Sequence, residues 1–130
     1  MDAEWKVAAR VIKDFPHRKA RLAEARERAE ADRRRFRRLQ HLESVKRLLE
    51  DDDAEIWRQE RELETVTQIL FSVPDPLQGS IIKLRMQGKS CVAVCMRLEI
   101  SESWENECFR LACEYLYPLF VEAGILKGRS

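Results

Sequence analysis

Four cysteines and two histidines are the residues of this chain best suited to hold a metal: Cys91, Cys95, Cys108, Cys113, His17 and His41. Structural zinc sites gather paired ligands at short, regular spacing. Cys91 and Cys95 fall one helical turn apart, the step from Cys108 to Cys113 is longer, and neither is the tight knuckle type. Both histidines lie far off in sequence. The thiols are therefore expected as small packing groups, with no metal and no cofactor. No Ser or Cys pairs with a His in a nucleophile pattern, no glycine-rich phosphate loop occurs, and no helical His-x3-His is present. Acid pairs are common, but they fall in charge runs that read as solvated helix faces. The expectation is a protein that is not an enzyme.

A second set of residues can do recognition chemistry. Between 102 and 115 the apolar residues Trp104, Cys108, Leu111, Ala112 and Tyr115 recur at helical spacing. The other face carries Glu102, Ser103, Asn106, Glu107, Arg110 and Glu114. Asn can read adenine and Arg guanine through bidentate bonds in the major groove. Asn106 and Arg110 are therefore candidate base readers. Ser90 and Ser101, with Lys83, Lys89 and Arg97, are candidate phosphate holders, since capped helix starts and cations both suit an anion.

The elements that must position these residues are helices. The chain has 130 residues with only 4 Gly and 4 Pro, and Val, Ile and Thr are too sparse to build a sheet. After the joint Val73-Pro74-Asp75-Pro76, three runs are expected. The first is about Leu77–Gln87, turned by Gly88-Lys89. The second is capped by Ser90 and holds Val94 and Leu98. The third is capped by Ser101 and extends at least to Tyr117, with Pro118 as a kink or end. Ile100 can plug the link. A helix of about eight residues, a short link with an apolar middle and a longer helix form a helix-turn-helix pattern.

Ahead of that joint the chain reads as a charged arm. Asp2 can cap a first helix whose face is Trp5, Ala8, Ile12 and Phe15, ended or kinked by Pro16. A long helix is expected from about His17 to Glu50. Its seam runs through Leu22, Ala25, Ala29, Phe36, Leu39, Leu42, Val45 and Leu49, which can serve oligomerisation. Asp51-Asp52-Asp53 is expected to break it, and a third amphipathic segment follows from about Ala54 to Ser72. Trp5 and Trp57 are expected in the core. The fold class is therefore all-α, with an arm or antiparallel hairpin over residues 1–73 and a helix-turn-helix module over 74–130.

Charge is 36% of the chain but unevenly spread. Residues 17–47 hold twelve basic and five acidic groups, a net of +7; residues 48–76 hold two and nine, a net of −7. Such blocks suit two segments lying against each other, or a basic arm that meets an acidic partner. The run Arg33, Arg34, Arg35, Phe36, Arg37, Arg38 carries both alternatives: a face paired with the acidic segment, or a contact for nucleic acid or polymerase. No stretch approaches a membrane helix. The opening residues lack a signal peptide's pattern, so a cytoplasmic location with reduced thiols is expected.

The stretch Ile81-Ile82-Lys83-Leu84-Arg85-Met86-Gln87-Gly88-Lys89-Ser90, running on to Leu98-Glu99-Ile100-Ser101, resembles region four of the primary sigma factors. It is similar, more closely, to phage-encoded late-transcription regulators of the ArpU and RinA type. Those proteins have similar length, a charged helical region first and a sigma-like helix-turn-helix last. The resemblance covers about Pro76 to Leu116. It implies a phage or prophage regulator in the bacterial host cytoplasm that binds double-stranded DNA and contacts RNA polymerase. By this likeness Ser101 starts the recognition helix, and Glu102, Ser103, Asn106 and Arg110 face DNA. Cys95 replaces the usual alanine. Glu105 replaces a buried valine, which leaves Trp104 to carry the packing. Glu99, Glu102, Glu105, Glu107 and Glu114 make the third helix acidic, and phosphate repels every such charge. Two alternatives follow: an interaction or inhibitor protein using an acidic helical face, and a DNA-gripping packaging subunit. A homodimer through the arm is compatible with all three.

Overall fold

The computed structural model describes residues 3–128, so the cap expected at Asp2 lies outside the described residues. Five α-helices follow one another: α1 (Glu4–Arg35), α2 (Glu43–Leu70), α3 (Pro76–Met86), α4 (Cys91–Leu98) and α5 (Glu102–Glu122). A 3₁₀ turn, Arg37–Leu39, lies between α1 and α2, and no strand occurs among the described residues. No helix is long and apolar enough to cross a membrane among those residues.

The helix boundaries of the arm correct the sequence reading. α1 runs straight through Pro16, and α2 runs straight through Asp51–Asp53. A proline inside a helix costs about 3 kcal/mol through its missing N–H and its ring clash. Burial on both sides of Pro16 offsets that cost: Val11, Ile12 and Phe15 precede it, and Leu22 and Ala25 follow. The chain turns instead at Phe36–Leu42. Arg33, Arg34 and Arg35 occupy the last turn of α1. Cations suit a helix C-terminus, while extending the helix would crowd five arginines into two turns.

The molecule divides into two compact units. One is residues 17–63, and the other joins residues 1–16 to 64–130. The expected arm thus gives its two ends to the unit that holds the helix-turn-helix.

Residues 17–63 form an antiparallel hairpin. Ion pairs join its helices at Arg18–Glu62 (3.4 Å), Arg26–Glu60 (2.7 Å) and Arg33–Asp53. Leu22, Ala25, Ala29 and Val45 are buried within it, so the first half of the expected seam packs inside one chain. Leu39 and Leu42 lie exposed in and beside the turn, and Phe36 and Leu49 are half-buried. Because α1 ends at Arg35, no single helix carries Leu22 through Leu49 as one stripe. Trp57, expected in the core, is 62% exposed. Asp32 and Asp52 meet inside the hairpin. Burial first, then a hydrogen bond that the protonated Asp52 donates to Asp32, and the charge of Asp32, push the Asp52 carboxyl above the ordinary aspartate value.

The second unit buries the α1 face Ala8, Val11, Ile12 and Phe15 together with Val66, Leu70 and Val73. Its C-terminal part is trihelical. Ile81 from α3, Val94 from α4 and Cys108 from α5 form one buried cluster, closed by Leu77, Leu84, Leu98, Phe109 and the linking residue Ile100. Each helix start has its own cap. Asp75 accepts from Gln78 N–H at 2.9 Å ahead of Pro76, Ser90 accepts from Ala93 N–H at 3.2 Å, and Ser101 accepts from Trp104 N–H at 3.1 Å. Such caps hold a helix end by roughly 1 kcal/mol each. α5 continues through Pro118 to Glu122.

Candidate nucleic-acid interface

The geometry of the site begins with two turns. α3 ends at Gly88, whose φ of 88° is the left-handed conformation that closes a helix, and Lys89 N–H donates back to Leu84 O at 3.2 Å. α4 ends in the same way at Glu99, with φ 56° and ψ 48°. Ile100 N–H donates to Cys95 O at 3.1 Å, which turns the chain within Glu99–Ser101 and aims Ile100 into the core. A non-glycine residue held there costs about 1–2 kcal/mol.

The α4–α5 relation is then locked by a polar group that the sequence reading placed outside the core. Glu105 is 0% exposed. Its carboxylate accepts from Arg85 Nε at 2.8 Å and from Arg85 Nη2 at 3.0 Å, a bidentate pair across α3 and α5. Cys91 Sγ of α4 donates to the same carboxylate at 3.1 Å. The Arg85 guanidinium also lies over the Phe109 ring at 4.5 Å from its centroid. Burial alone would push Arg85 down, but the bonds and charge of Glu105 outweigh it and hold the guanidinium above its usual range. One carboxylate therefore ties all three helices together.

This corrects the expected packing face of α5 at Trp104, Leu111 and Tyr115, while Cys108 and Ala112 pack inside as expected. Glu105, Cys108, Ala112, Cys113, Leu116 and Phe120 are buried, whereas Trp104 is 51% exposed and Leu111 and Tyr115 also face solvent. The helix is rotated from the reading that put Trp104 inside, because a neutralised Glu105 takes the core position. Trp104, Leu111 and Tyr115 instead form an apolar edge, and Tyr115 Oη donates to Ser72 O at 3.3 Å beside exposed Phe71.

The face expected to meet DNA is solvent-facing. Glu102, Ser103 and Asn106 are exposed at the start of α5, and Lys83, Lys89, Ser90, Arg97 and Ser101 are exposed around them. Asn106 has only a weak contact, 3.8 Å from Cys91 Sγ. Arg110 is half-buried and engaged, bonding Glu107 at 2.6 Å and Glu114 at 2.5 Å. The bond to Glu107, then the charges of Glu107 and Glu114, hold Arg110 above its usual range. The acidity counted from sequence thus shrinks. Of five glutamates, Glu105 is neutralised by Arg85, and Glu107 and Glu114 share Arg110. Glu99 and Glu102 remain without a cation among the described residues.

Three of the cysteines are held as thiols. Burial, then the bond from Cys91 to Glu105 and that carboxylate's charge, push the Cys91 thiol up to about 12. Burial pushes Cys113 up to about 12 and raises Cys108. No group of three or more His, Cys, Asp or Glu is arranged for a metal among the described residues.

In the hairpin unit, Arg34, Arg35, Arg37 and Arg38 line a hollow of about 790 Å³ with Leu39 at the turn. Arg33 alone of the run pairs with the acidic helix; Arg34 reaches Glu30 of its own helix at 4.0 Å, and Arg35 lies over Phe36. No protein-family model, no curated protein and no solved structure matches this chain.

Proposed function

We propose that this protein is a non-enzymatic, DNA-binding transcription regulator that docks the start of α5 in the major groove, with the phage or prophage origin that its likeness to the ArpU and RinA type implies. The observation that carries this reading is the free first turn of α5. Glu102, Ser103 and Asn106 stand exposed beyond a capped three-residue turn, the place from which a recognition helix reaches base edges. The pairing of Arg85 and Arg110 with three of the five acids supports it, because it removes most of the phosphate repulsion. Polymerase contact and action in a bacterial cytoplasm belong to the same proposal.

Duplex binding measured across a salt series tests it. The expected result is an affinity that falls steeply with salt, since each neutralised phosphate releases counterions. Asn106→Ala is expected to relax sequence preference by about 1–3 kcal/mol at one base position. Arg110→Ala unmasks Glu107 and Glu114 and is expected to weaken all duplexes alike. Absence of binding at low salt overturns the reading. In that event the apolar edge Trp104, Leu111 and Tyr115 favours the second one, a protein-contacting module whose α5 edge meets another protein.

A further inference from the structure

We infer that the N-terminal segment of α1 completes a sugar-phosphate binding cleft with the start of α4, so that Arg10 and Lys13 hold the DNA backbone beside the recognition helix. The inference rests on the DNA-binding reading above and deepens it. A cleft of about 430 Å³ opens between α1, the α3–α4 turn and α5. Buried Ile12 and half-buried Ala9 and Phe109 form its floor. Exposed Arg10, Lys13 and Lys89 stand at its rim, beside Ser90 at the start of α4. Two elements distant in sequence, α1 and the α3–α4 turn, therefore bring three cations to one hollow.

The chemistry fits a sugar-phosphate strand. Its sugars are largely apolar and suit the floor, and its phosphates suit the cations. Lys13 and Lys89 form no ion pair with any described residue. Arg85 also lines the cleft, with its guanidinium turned to Glu105. Place matters as much as charge. In a helix-turn-helix the helix before the recognition helix crosses the backbone, and phosphates meet its N-terminus. The cleft lies at that end of α4. Gly88 sits at the junction, where an added Cβ would stand 3.8 Å from Pro16 Cγ, an ordinary contact that places the α3–α4 turn beside α1. Nothing in the residue spacing links Arg10 and Lys13 to Lys89.

The test uses the full chain and measures duplex affinity against salt for the wild type, for Arg10→Gln with Lys13→Gln, and for a control. The control is Lys46→Gln with Arg47→Gln, which removes the same charge from exposed positions of α2. Each lost phosphate contact reduces the slope of log K against log salt by about 0.9. The cleft variant is expected to lose about 1 to 2 from the slope, equally on specific and unrelated duplexes, while the control keeps the wild-type slope. An unchanged slope in the cleft variant, or an equal loss in the control, overturns this inference and leaves the DNA-binding reading standing. A wild type that binds no duplex at any salt overturns both.

Discussion

Removing Arg85 should destabilise the trihelical unit more than removing its partner Glu105, although both changes break the same pair. Glu105 is 0% exposed and Arg85 is 22% exposed. In Glu105→Ala the guanidinium keeps its place over Phe109 and turns its open side to water. In Arg85→Ala the carboxylate stays buried with only the Cys91 thiol as donor. Breaking a buried pair from the side that strands a charge costs about 3–5 kcal/mol, so Arg85→Ala is expected in that range. Glu105→Ala is expected near 2 kcal/mol, the loss of a charge-assisted bond pair to a group that can rehydrate. The double variant Arg85→Met, Glu105→Val removes both charges and should return to within about 1 kcal/mol of wild type. Urea titrations followed through α5 amide resonances isolate this unit from the hairpin. Equal costs for the two single variants, or an Arg85→Ala cost below about 1 kcal/mol, would refute the claim that Glu105 depends on this cation.

Three further outcomes are expected. Glu99→Gly should stabilise the unit by about 0.5–1 kcal/mol in urea melts, because glycine adopts the left-handed turn without the steric cost; a loss of stability would show that the Glu99 side chain does more than turn the chain. Ser101→Ala should cost about 1 kcal/mol and fray the first turn of α5 in amide exchange, whereas Ser103→Ala, exposed and not a cap, should be nearly neutral. Asp52 is raised above 3.8, first by burial and then by Asp32, with Asp53 adding to the rise and Arg28 opposing it. Its contribution to hairpin stability is therefore greatest below about 3.8 and is lost as pH rises through the raised value. Asp52→Asn should flatten that dependence and raise the melting temperature at neutral pH; a variant that melts lower than wild type at pH 7 contradicts it.

Local chemistry made much of this fold legible. Asp75, Ser90 and Ser101 are caps because short polar side chains before apolar runs satisfy free N–H groups, and the three module helices begin where those residues stand. Ile100 as the plug of the turn and the α1 face from Ala8 to Phe15 were likewise readable from spacing. The hidden parts are those where long-range packing outweighs local preference. Pro16 and Asp51–Asp53 look like breaks, yet buried residues on either side carry α1 across Pro16, and α2 runs on through Asp51–Asp53 between half-buried Leu49 and Ile56. Trp104 looks like core by type and Glu105 like surface. Their exchange depends on Arg85, twenty residues away in sequence, and no periodicity links the two. At the candidate site, Ser103 and Asn106 were identifiable from the helical face alone. The engagement of Arg110 by two glutamates at helical spacing was latent in the sequence. The approach of Arg10 and Lys13 to Lys89 was not.

The discontinuity of the trihelical unit bears on how the chain is made. Residues 1–16 leave the ribosome before residues 64–130, with which they share one compact unit. During synthesis the apolar face of residues 1–16 waits unpartnered while the hairpin is translated. The hairpin can close by itself, since its pairs from Arg18–Glu62 to Arg33–Asp53 are internal. Once closed, it brings residue 16 near residue 64 and removes most of the loop-closure entropy that would otherwise oppose the second unit. The charged insertion then acts as an assembly jig: zipping it shut delivers the N-terminal helix to the segment emerging behind it.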